Sequence, residues 1–206
     1  MPHTKPTKID TNTQAGSQQE IPVKAITFKE LWDAYPSGDP YDNPDYTNQC
    51  AIRLSVTLHR VGVGMKSFSQ KTVKPMSGSP TIGRIILDGK PTATRADELG
   101  EWLQHQPFAG LPKAENITGA DWESKVKGRT GIIQFSRYWS RDGEAAANAS
   151  GGHIDLWNGS RLTVSSAPDA VATFSRVIGI QQFLPGTHLG WSDLRNSKQI
   201  LFWEIK

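Results

Sequence analysis

Cysteine is almost missing from this chain: Cys50 is the only one in 206 residues. One thiol excludes an intramolecular disulfide framework, and it excludes zinc ribbons and fingers, which need paired cysteines or Cys/His pairs. Long apolar runs are missing too. No segment approaches the length needed to span a membrane, so no membrane insertion is expected. The opening stretch "MPHTKPTKIDTNTQAGSQQE" has no apolar core of a secretory signal, which points to synthesis in the cytoplasm without a signal peptide. Lys and Arg number 23 against 20 Asp and Glu, a net charge of +3. No run of basic residues is long enough to follow a phosphate backbone, so nucleic acid is not an expected partner. There is no phosphate-cradling glycine loop with Lys-Ser/Thr, no H-E-x-x-H and no Gly-x-Ser-x-Gly elbow. Neither a metal nor a cofactor is expected.

The residues that remain suit one globular domain of ordinary size, with seven Trp and seven Phe to fill a core and 19 Gly and 13 Pro to turn the chain. Residues 1–20 carry little apolar surface and read as a flexible polar tail, with the folded domain spanning 21–206. Thr27 and Glu30 have the spacing of a capping box for a short helix bearing Phe28, Leu31 and Trp32, which Pro36 stops. Thr94 is a candidate cap for "RADELGEWLQHQ", and "GADWESKVKG" reads as a short helix ending at glycine. Strand patterns follow in "GIIQFSRYW", "HIDLWNGSRLTV", "SRVIGIQQFLP" and "KQILFWEI". Helices first and antiparallel strands after make the class α+β.

Cys50 lies in "YTNQCAIRLS". The segment is ambiguous, because Ile52, Leu54, Val56 and Leu58 alternate like a strand while Ala51, Leu54, Leu58 and Val61 fall at helical spacing. Asn48 can cap such a helix and Gly62 can end it. A hydrolytic cysteine needs a base, and a helix N-terminus lowers a thiol pKa. Of five histidines, His3 lies in the tail, His59 on the Cys50 segment, His105 at a helix end and His188 in a turn. His153 differs, since it opens a strand directly after Gly151-Gly152. If Asn158-Gly159 is a two-residue turn, Trp157 pairs with Ser160, Asp155 with Leu162 and His153 with Val164. Asp155, two residues from His153, shares its face and is a candidate to orient the imidazole. Asp169 is the second candidate.

"NQCAIRLS" together with "GGHIDLWNG" resembles the type VI secretion amidase effector 4 family of NlpC-like, papain-fold cysteine amidases. The likeness runs from about Phe28 to the C-terminus and includes "GRTGIIQF". It implies a papain-like, NlpC-type α+β fold with the nucleophile at the start of a helix packed on an antiparallel sheet. By that resemblance Cys50 is the nucleophile and His153 the general base. Asn48 falls on the family's Asn before the Cys, and with Gln49 is the candidate for substrate binding or the oxyanion site. Related members place an Asp on the following strand, where the hairpin register puts Val164. Asp155 is therefore taken as the third residue, with Ser165 or Asp169 as alternatives brought in by a bulge. The activity implied is hydrolysis of the D-glutamyl–meso-diaminopimelate bond of peptidoglycan, after delivery by the type VI secretion apparatus into a competitor's periplasm. A cognate periplasmic immunity protein is the implied partner. The alternative reading is a non-catalytic module that binds cell-wall glycan or peptide.

Overall fold

A computed structural model describes residues 7–10, 18–21, 24–139, 151–164 and 193–206. Two short strands, β1 (Thr7–Asp10) and β2 (Gln18–Ile21), pair antiparallel within the segment expected to be a tail. Poor apolar content argues against a core there. It does not prevent a backbone ladder, although a lone two-stranded pair is marginal in water. Helix α1 (Phe28–Ala34) carries the expected capping box: Thr27 and Glu30 each accept from the other's backbone N–H. Its inner face buries Phe28 and Leu31.

The Cys50 segment is helix α2 (Cys50–Arg60). Ala51, Leu54 and Leu58 are fully buried on one stripe, while Arg53 bonds Gly38 O in the loop after α1 and Arg60 bonds Ala34 O at the end of α1. The strand-like alternation was misleading because Ile52, Ser55 and Thr57 are buried as well, so nearly the whole helix is enclosed. Gly62 ends it as expected, at φ +93°, with Gly62 N–H bonded to His59 O and Val63 N–H to Leu58 O. The cap differs from expectation. Gln49 occupies the N-cap position without a side-chain cap bond, and Asn48 is exposed one residue earlier.

Strands β3 (Arg84–Leu87) and β4 (Lys90–Ala93) form a hairpin that is not among the expected strands. Its signal was present: Asp88-Gly89 both take positive φ, as a two-residue turn of this hand requires. Helix α3 (Ala96–Gln104) follows, its N-cap Arg95 rather than Thr94. Thr94 instead packs its hydroxyl where a Cβ on Gly83 would stand, and its N–H bonds Gly83 O. The buried carboxylate of Glu98 ties this region together, accepting from Met76 N–H, Gly83 N–H and Arg95. Strand β5 (Glu115–Asn116) and helix α4 (Trp122–Val126) lead to β6 (Thr130–Trp139), β7 (Gly151–Asn158) and β8 (Gln199–Glu204). The expected strand in "SRVIGIQQFLP" lies outside the described residues.

The four-stranded sheet has the order β5-β8-β6-β7, all neighbours antiparallel. One face meets α2 and α3 through Ile132, Ile154, Leu156 and Trp203; the other holds Ile133, Phe135, Trp157 and Phe202 around Trp122. Gly131 permits the β6–β8 approach, since a Cβ there would lie 2.0 Å from Trp203 O. Helices α2 and α3 on one face of an antiparallel sheet, α4 on the other, and Cys50 opening α2 match the α+β architecture expected.

The hairpin register differs from expectation. Trp157 bridges Leu162, not Ser160, and Asn158 N–H bonds Arg161 O, so Gly159-Ser160 is the turn. Gly159 takes φ +92° and Asn158 remains in the strand. The partner has moved by two residues, which preserves the face of every side chain.

Candidate active site

Cys50 is the first residue of α2, with no acidic residue in that first turn. The free N–H groups and dipole of a helix start favour a thiolate there. The sulfur lies against β7, the outer strand of the sheet, where the Ile154 N–H and the His153 ring both bond it. Burial pushes the Cys50 thiol up, but the His153 hydrogen bond, its positive charge and the Ile154 N–H outweigh this. The thiol is held below its ordinary value.

Strand alternation puts His153 and Asp155 on one face, as expected from their spacing. Nε2 of His153 lies 3.4 Å from Oδ2 of Asp155, which leaves Nδ1 for the sulfur. The imidazole stacks on Phe135 at 6.5 Å between centroids and 29° between planes. A bulge in β6 between Phe135 and Trp139, with Arg137 at φ +55°, bends the sheet beside it. Burial pushes His153 down, yet bonds to Asp155 and Cys50 overcome it and raise the ring to about 10. Both shifts favour the thiolate–imidazolium form of the pair.

Asp155 is only 4% exposed, and its Oδ1 accepts from Leu156 N–H at 2.7 Å and from the Thr163 hydroxyl. Sequence reasoning missed Thr163, and Tyr35, which lies near Thr163 and Asp155. No local pattern marks either one, because they come together only through the tertiary fold. Val164, two-fifths exposed, points no donor or acceptor at the imidazole. Ser165 and Asp169 lie outside the described residues, as do His3 and His188.

The other candidates separate in role. Gln49 is 3% exposed, and its amide is committed to the Tyr41 backbone: Nε2 donates to Tyr41 O at 2.7 Å, and Oε1 accepts from Tyr41 N–H at 3.1 Å. It holds the loop before α2. Asn48 is exposed beside it. Gly152 leaves room for Asp97, whose Oδ1 would lie 2.9 Å from a Cβ there. The ring nitrogens of His59 and His105 bond Pro91 O and Thr72 O, each at 3.0 Å. A cavity of about 560 Å³ lined by Trp122, Trp157, Arg161 and Leu194 touches neither Cys50 nor His153. Among the described residues, no group of three or more His, Cys, Asp and Glu is placed to hold a metal.

A family model described as "Type VI secretion system (T6SS), amidase effector protein 4" matches residues 46–203, a span that contains Cys50, His153 and Asp155. No curated protein matches the chain. Among solved structures, the type VI amidase effector 4 of Enterobacter cloacae aligns at 16% identity over 89% of this chain and 99% of its own, with a TM-score of 0.49. The effector in an effector–immunity complex from Salmonella Typhimurium aligns at 18% identity over 88% and 99%, with a TM-score of 0.48.

Proposed function

Because this chain belongs to the type VI secretion amidase effector 4 family, and so is an amidase effector acting on peptidoglycan, we propose that it cleaves the wall by Cys50–His153 chemistry through a thioester. The observation that carries the reading is the contact of Cys50 and His153 at a helix start, with Asp155 behind the imidazole.

In this mechanism the Cys50 thiolate attacks the carbonyl carbon of a stem-peptide amide. The developing oxyanion meets the Cys50 backbone N–H at the start of α2. His153 then donates its Nδ1 proton to the leaving amine, which departs as the thioester forms. Water gives a proton back to His153 as it attacks the thioester, and the carboxylate product leaves the regenerated thiolate. Asp155 stabilises the imidazolium throughout. With the Gln49 amide occupied by Tyr41, the exposed Asn48 is the neighbour available to substrate.

The bond we assign is D-glutamyl–meso-diaminopimelate, and the route is type VI delivery into a competitor's periplasm. A cognate immunity protein that covers the cleft completes the reading. Directing the chain to the periplasm of a diaminopimelate-containing host is expected to lyse it, while Cys50→Ala and His153→Ala are not. Lysis by Cys50→Ala at wild-type rate removes the proposed nucleophile. Sacculus binding without release of amines supports the non-catalytic module instead.

A further inference from the structure

We propose that Thr163 is a positioning residue, a buried hydroxyl that fixes the Asp155 carboxylate with Oδ2 turned to His153. The proposal rests on the assignment of Cys50, His153 and Asp155 as the catalytic group.

A carboxylate on a strand can rotate about its last bond, and a 3.4 Å contact to His153 is too long to lock it. The lock is on the other oxygen. Oδ1 takes the Leu156 N–H at 2.7 Å and the Thr163 hydroxyl in a short bond, and both Asp155 and Thr163 are more than nine-tenths buried. Two donors converging on Oδ1 leave one orientation for Oδ2. Thr163 sits on the returning arm of the hairpin, held in place by the Trp157–Leu162 bridge.

Thr163 has one proton, so its direction matters. Its partner, Asp155 Oδ1, can only accept, which commits the threonine proton to the carboxylate. Thr163 and the Leu156 N–H hold Oδ1, and His153 Nε2 faces the far oxygen. Hydrogen bonds in such a network reinforce one another where water is scarce.

The test uses the full chain, with two readouts: the pH dependence of Cys50 alkylation by iodoacetamide, and the kcat and KM for muropeptide cleavage. Thr163→Val keeps the shape and loses the donor. It should lower kcat about tenfold at unchanged KM and bring the alkaline limb to lower pH. Thr163→Ser, which keeps the hydroxyl, should restore both. A folded Thr163→Val with the wild-type profile and kcat overturns the proposal, as does Thr163→Ser being as impaired as Thr163→Val. If Thr163→Val does not fold, Thr163→Ala, smaller and equally without a donor, decides, and a wild-type profile there overturns the proposal. Failure of the underlying assignment looks different, because the wild-type thiol itself would then titrate at its ordinary value.

Discussion

Cys50 is a thiol under opposing influences. Burial opposes its charge, while His153 and the Ile154 N–H favour it. His153 is the mirror case, with burial opposing the imidazolium and Asp155 and Cys50 holding it. The proposed mechanism needs thiolate and imidazolium together, so activity should rise with pH as the pair loses its first proton, below the ordinary thiol range. It should fall as the second is lost near pH 10. The two apparent values belong to the pair, not to either residue alone. A pH profile of kcat/KM checks this; a single ascending limb centred on the ordinary thiol value would contradict it. Asp155→Asn removes the charge that raises His153 while keeping the shape. It is expected to cost about a hundredfold or more in kcat and to shift the alkaline limb downward. Unchanged activity would remove Asp155 from the site.

Elements, more than single residues, decide which parts of this were legible in the sequence. The α1 capping box, the glycine that ends α2 and the β6 and β8 patterns are local signals, and each appears where the sequence places it. The shared face of His153 and Asp155 follows from strand geometry alone, and it survived a hairpin register shifted by two residues. What local pattern could not supply was contact. Tyr35, near Thr163 and Asp155, and Glu98, bonded to the N–H groups of Met76 and Gly83, join segments far apart in the chain. The α2 segment misled because burial on nearly every side hides the period that identifies a helix. Two variants test the element packing. Gly131→Ala sets a methyl 2.0 Å from Trp203 O, where backbone must move, and should cost about 1–3 kcal/mol in thermal or chemical unfolding. Glu98→Ala leaves two backbone N–H groups without their acceptor and should cost about 2–4 kcal/mol. Wild-type stability in either would refute the packing described for that element.

At the scale of the molecule, a net charge of +3 is modest, and no helix among the described residues is long and apolar enough to cross a membrane. Neither property identifies the substrate. The proposed chemistry is placed where the first turn of one helix meets β7, and family membership names the polymer on which the protein acts. The cellular expectation follows from compartment: the wild-type chain should be tolerated in the cytoplasm, away from the wall, and lethal when sent to the periplasm. Equal toxicity in both compartments would contradict a wall-directed activity. The most direct measurement is mass spectrometry of purified muropeptides digested by the wild-type chain and by Cys50→Ala. Wild type should release fragments ending in D-glutamate and new amines on meso-diaminopimelate, and Cys50→Ala should leave the stems intact, a loss of at least about a thousandfold. Cleavage at the same bond by Cys50→Ala would contradict the central claim.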